Sequence, residues 1–317
     1  MVIDGGADWV AAETMVQRKF PWVYFMHCVS HEGALIVKDI CKIAEVAELL
    51  EWMTDCQKWF STSKLGSLLQ HFCVKHYGTS RSFIYPAETR FAGKLLQIKR
   101  FMSMGRALKQ CVMSAEYLRF DFADDDFAPR IESPDVWRLM ARITKTAGPV
   151  LLLLRLADSN AATLSKLKGT VDYVKNLMVD TGGDTLEDQI CTAFHLRADE
   201  LESDIVNAAW VIDPQFISKS RKCSSAVMES FWTVARAVLR IDDETDWRSK
   251  RAQIVTELAA FRMKTGGFSI EDYGDCDTCS FWSVAGCHAS NLRELAMILA
   301  PLPCSSGEAE RNWFEVK

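Results

Sequence analysis

From about residue 32 onward, apolar residues recur at three- and four-residue spacing, the period of an amphipathic helix. The repeat runs through 34–53 (ALIVKDICKIAEVAELLEWM), 91–113, 133–158, 161–178, 186–212, 226–241 and 247–263, and it returns at 289–300 (ASNLRELAMILA). Ser133-Pro134 marks a helix start. The serine hydroxyl can take up a free first-turn N–H, and proline loses nothing at the first helical position. The first thirty residues read differently. Val2-Ile3-Asp4 looks like the end of a strand and Gly5-Gly6 like a turn; Asp8 looks like the cap of a helix that stops before Pro21. WVYFMHCV, 22–29, is β-branched and aromatic and reads as a second strand. A strand–helix–strand unit of this length implies a parallel pair with a crossover. The pattern therefore predicts a mainly α chain with a small α/β part. Two strands alone do not make a stable sheet, so the chain reads as entering a sheet without a lead-in. The stretch 265–280 is turn-rich, and FDFADDDF at 120–127 reads as a short acidic loop.

Composition adds limits. Of the 317 residues 49% are apolar and 25% charged, a globular balance, and the formal net charge is −5. That excludes a polycation that coats nucleic acid wholesale but leaves room for a local basic face. MVIDGGADWV lacks the basic and long apolar segments of a signal peptide. The most apolar run, GPVLLLLRLAD at 148–158, is short for a bilayer and is interrupted by Arg155, so no membrane partner is expected. Eleven cysteines, without an export signal, are expected to be reduced thiols in the cytoplasm or nucleus. No Ser–His–Asp pattern and no glycine-rich phosphate loop is present, so no small-molecule substrate is expected.

Four constellations carry candidate chemistry, each beside a plainer reading. Asp4 at a strand end could hold a hard cation, or it could be an ordinary Asp-Gly-Gly turn residue. Cys28 and His31 form a Cys-x-x-His pair that could be half of a zinc site. The other half would have to come from Cys276, Cys279, Cys287 and His288, whose spacing fits no zinc pattern, so a buried cysteine and a polar histidine are the alternative. Thr89, Arg90 and Phe91 open a helix that continues with Lys94, Lys99 and Arg100. This could grip a DNA backbone and stack on a base, or be a capped helix with a solvated basic face. Near the end, SSGEAERNWF places Glu308, Glu310 and Arg311 together. A serine cap with an acid in the first turn explains Glu308; it explains Glu310 less well.

Taken in order, these pieces resemble the catalytic region of hAT-family transposases and the transposase-derived proteins that share it. The matching elements are VIDGGADWVAAE; then FPWVYFMHCVSHEGALIVKDI with its Cys-x-x-His; then ETRFAGKLLQIKRF, where the family more often has tryptophan at the place of Phe91. They continue with AAWVIDPQF and with FWSVAGCHASNLRELAMILAPLPCSSGEAERNWF, so the resemblance covers nearly the whole chain. Each signature is moderately specific, and their order and separation strengthen the match.

The resemblance implies a partial ribonuclease H-like core interrupted by a large all-helical insertion. The implied segments are 1–40 for the strand–helix–strand part of the core, 41–280 for the insertion, and 281–317 for the C-terminal core helices and the start of a dimerisation region. Asp4 and Glu310 match the family's second and third acids, which hold Mg2+ or Mn2+ for strand cleavage and transfer. The first acid has no counterpart here, and the chain is expected to be an N-terminally truncated or domesticated form, catalytically incomplete as it stands. DNA contact is expected at Thr89, Arg90, Phe91 and Lys94, with Cys28, His31 and Arg311 in support. Self-association through the C-terminal region and a nuclear location are also implied. Two alternatives stay open: an active metal-dependent transposase or nuclease once a missing N-terminal segment is supplied, and a helical protein-interaction module without a nucleic-acid role.

Overall fold

Helix dominates, as the three- and four-residue repeat predicts. The computed structural model of the chain describes residues 1–3, 7–85, 92–120, 126–160, 162–179, 182–269 and 276–306. Among these are eighteen α-helices, five short 3-10 turns and two strands of two residues each. None of the described helices is long and apolar enough to cross a membrane.

Several long periodic stretches are broken where the backbone demands it. The stretch 133–158 starts as expected, with the Ser133 hydroxyl accepting from the Asp135 N–H at 3.3 Å and Pro134 in the first turn. It then divides into Pro134–Ala147 and Leu151–Ala157, separated by a 3-10 turn at Gly148–Val150, because Pro149 has no N–H for the ladder. The stretch 91–113 becomes Ala92–Ser103 and Gly105–Val112. A Cβ on Gly105 would lie 2.8 Å from the Trp137 ring, so the second helix approaches that indole only because residue 105 has no side chain. The stretch 186–212 divides into Leu186–Ala198, a 3-10 turn at Asp199–Leu201, and Asp204–Val211. One helix escapes the sequence pattern: Ser63–Tyr77 buries Leu65, Leu69, Phe72 and Cys73 and ends on Gly78, whose φ of 70° closes a left-handed cap with its N–H on the Val74 carbonyl.

The strand–helix–strand unit is present but smaller than the residues suggest. Strand β1, Val2–Ile3, pairs in parallel with β2, Met26–His27, with Val2 opposite Met26 and Ile3 opposite His27. The expected strand over 22–29 shortens at both ends. The Val23 N–H turns back to the Phe20 carbonyl, and Val29 already opens the helix Val29–Ile40. The connecting helix spans Ala7–Lys19, so Asp8 lies within its first turn instead of capping it.

The chain forms two compact units. One comprises residues 1–32, 153–175 and 197–317; the other comprises 33–152 and 176–196. The long helical stretch 41–280 is thus shared between both, and the two chain ends belong to the same unit. In the first unit, the helix Asp204–Val211 packs along Ser225–Val238, and Glu244–Met263 packs on Ser290–Leu299. Trp282 is fully buried there among Phe261, Phe268 and Phe281, with its indole N–H on the Ile212 carbonyl at 2.9 Å. In the second unit, Ser63–Tyr77 packs on Gly105–Val112 and Ala92–Ser103 on Pro134–Ala147. There a bidentate pair between Arg142 and Glu187, at 2.7 and 2.6 Å, joins Pro134–Ala147 to Leu186–Ala198.

Candidate functional site

Cys28 is the residue at which strand turns into helix, and three distant segments converge on it. Its N–H donates to the Ile3 carbonyl at 2.8 Å, which extends the β1–β2 pairing by one step. Next to it, the Val29 N–H donates to the Cys304 carbonyl at 3.1 Å. The segment 302–304 is itself fastened to 162–164: Thr163 bridges Pro303, Leu164 N–H reaches the Leu302 carbonyl, and Cys304 N–H donates to the Ala162 carbonyl at 2.8 Å. Cys28 Sγ lies 3.3 Å from Ser306 Oγ and accepts from the Ser306 N–H at 3.5 Å. Ile3, Cys304 and Ser306 therefore meet around one buried thiol. Burial and the neighbouring Cys28 push the Cys304 thiol up to about 12, so it stays protonated there.

Beside this junction, within the same unit, His27, Glu32 and Glu200 point their ligand atoms at one another, all within 4.8 Å. His27 Nδ1 lies 3.2 Å from Glu32 Oε1 and 3.8 Å from Glu200 Oε2. Glu32 is 2% exposed, and its other oxygen pairs with Arg197 Nη1 at 3.4 Å. An imidazole with two carboxylates is a donor set suited to Zn2+ or Mn2+. The same groups also form a self-consistent ion-pair network, in which Arg197 balances the buried charge of Glu32. Among the described residues this is the one set of three or more potential metal-binding side chains.

Cys28 and His31, the pair expected from the Cys-x-x-His motif, are the sequence neighbours of these residues. Cys28 is buried at the junction, but His31 is exposed on the third residue of its helix. Adjacent helical residues point about 100° apart, so with Glu32 turned inward His31 faces solvent. Cys28 and His31 do not come together with Cys276, Cys279, Cys287 and His288 as a ligand set. His27 and Glu32 are five residues apart and Glu200 lies far beyond them in sequence, so no local motif announces the group.

Asp4, Thr89, Arg90, Phe91, Glu310 and Arg311 lie outside the described residues, as does Glu308. Lys94 is described: it is half-buried on Ala92–Ser103, whose inner face carries Leu95, Ile98 and Phe101. Its charge partly offsets the burial that pushes the Cys41 thiol up to about 11. The helix Ser290–Leu299 buries Leu292, Leu295, Ala296 and Leu299 inside its own unit and leaves the apolar Met297 and Ile298 exposed.

No protein-family model matches this chain, and no curated protein matches it either.

Proposed function

We propose that the chain is a transposase-derived protein of the hAT type, whose role is DNA binding or self-association. In this reading Asp4 and Glu310 are the two family acids present and would hold Mg2+ or Mn2+, while Arg90 and Lys94 contact the DNA backbone. One observation supports it above the others. Ile3, directly before Asp4, and Ser306, four residues before Glu310, both bond to Cys28 although some three hundred residues separate them. A fold that draws its two ends onto one strand end is what a split catalytic core requires. The mainly helical remainder agrees with a large insertion.

The test is fluorescence anisotropy with labelled duplex DNA across a salt series. The reading expects an affinity that falls linearly on a log–log salt plot, with Arg90→Ala reducing the slope by about 1 and weakening binding irrespective of sequence. Binding that is absent at low salt, or that ignores both salt and Arg90→Ala, refutes the DNA role.

A further inference from the structure

In the first unit an open groove of about 620 Å³ runs along the outer face of the helices Ser225–Val238 and Glu244–Met263. Its floor is apolar: Met228, Trp232, Leu258 and Met263 line it, and the two charged residues that reach it are Arg221 and Arg262. No acid lines it.

Arg262 is the unusual member. Its Nε is buried without a hydrogen-bond partner among the described residues. Among the described residues its Nη2 reaches only sulfur, Met228 Sδ at 3.1 Å and Cys223 Sγ at 3.5 Å. Thioether and thiol sulfurs are weak acceptors, and a guanidinium's five donors are shaped for a carboxylate. The described structure gives Arg262 no carboxylate, although elsewhere in this unit Arg197, Arg236 and Arg248 each have one. A buried donor left without oxygen costs stability, and such exceptions in a folded protein call for a cause. Trp232 is held over the groove by Arg251, whose guanidinium lies 4.9 Å from the ring centroid, so the aromatic wall is braced from outside. The volume falls in the range of small-ligand sites, and an apolar lining with few oriented polar groups is their usual makeup.

We propose that this groove binds a small amphipathic carboxylate, with the acyl or aryl body on Met228, Trp232, Leu258 and Met263 and the carboxylate on Arg262. Two flexible methionines let the walls adjust to the body of the ligand, and Met228 can yield its place at the guanidinium to a ligand oxygen. Arg221, exposed at the rim, adds attraction without fixing geometry. The site is independent of the DNA reading, since it uses none of the residues invoked there.

Decanoate, kept below its micelle concentration, is the probe, with decanol as its neutral counterpart. Titration followed by methyl spectra of 13C-labelled methionine is expected to show saturable binding that moves the Met228 and Met263 resonances. Calorimetry is expected to show decanoate binding at least tenfold tighter than decanol. Arg262→Met is expected to remove that difference while leaving decanol unchanged. Equal affinity of the two probes, an unchanged decanoate affinity in Arg262→Met, or shifts confined to other methionines would overturn the proposal. Should Arg262→Met fail to fold, Ala259→Phe on the exposed lip decides, because it fills the groove without touching the arginine. Loss of decanoate binding supports the site, and full retention overturns it.

Discussion

Asp213 offers the sharpest test of how the first unit is held together. It is fully buried, and among the described residues no cation pairs with it. Its Oδ2 accepts from Ser165 Oγ at 2.5 Å and from Thr278 Oγ1 at 3.0 Å, and its Oδ1 accepts from the Gln215 N–H at 2.8 Å. One carboxylate thus caps the turn Pro214–Phe216 and ties it to residues 165 and 278. Replacing it by alanine leaves three donors facing a cavity. Losing a cap costs about 1 kcal/mol. Each orphaned buried donor costs about 1–3 kcal/mol, partly offset because a desolvated charge is no longer buried. The net expectation for Asp213→Ala is a loss of about 3 kcal/mol. Asp213→Asn keeps the Oδ1 contact, and the two hydroxyls can rotate to accept from its amide, so about 1 kcal/mol is expected. Urea unfolding followed by tryptophan fluorescence measures both. A double-mutant cycle sharpens the result. Thr278→Val is expected to cost about 1 kcal/mol in the native background and nearly nothing in Asp213→Ala. If Asp213→Ala costs less than about 1 kcal/mol, or if Asn and Ala cost the same, the carboxylate is not the hub described here.

Two further outcomes follow from the geometry. The helix Ser290–Leu299 has no side-chain cap of its own; Glu257, on the helix Glu244–Met263, accepts from the Leu292 N–H at 2.6 Å and from Asn291 Nδ2 at 2.7 Å. Glu257→Ala is therefore expected to lower stability by about 1–2 kcal/mol in the same urea assay, with Glu257→Gln milder, because a charged acceptor at a helix N-terminus also meets the dipole. Alkaline pH acts through the buried thiols: the Cys304 thiol, ordinarily 9.0, is pushed up to about 12 by burial. Stability from this group is complete below pH 9 and is lost as pH rises towards 12, by about 1.4 kcal/mol per unit, because the unfolded chain releases the proton first. Cys304→Ala is expected to flatten the alkaline limb of a stability-against-pH series, and an unchanged limb would contradict the burial argument.

Helical content could be read from spacing alone, because a 3.6-residue period reflects only which side of each segment must leave water. Ser133-Pro134 was equally legible, since a cap and its proline act within one turn. Helix breaks at Met104 and at 199–203 were not, and neither was the Ser63–Tyr77 helix, whose apolar stripe is diluted by Lys64, Ser67, Gln70 and His71. The strand expected over 22–29 shortens to Met26–His27 for a related reason. β-branched and aromatic residues favour a pleated surface, but a strand extends only as far as its partner, and β1 offers two residues.

The chain's own residues thus determined a mainly helical protein and a parallel strand pair at its start. Only the tertiary structure decided which side chains meet. It brought Ile3, Cys28 and Ser306 together, and it set His27 and Glu32, not Cys28 and His31, towards Glu200. It made Asp213 a buried hub with Ser165 and Thr278, and it left Arg262 facing sulfur above an apolar groove. Local period and capping depend on neighbours within a turn or two. Convergence across tens to hundreds of residues depends on how whole helices pack, and no short stretch of sequence contains that information.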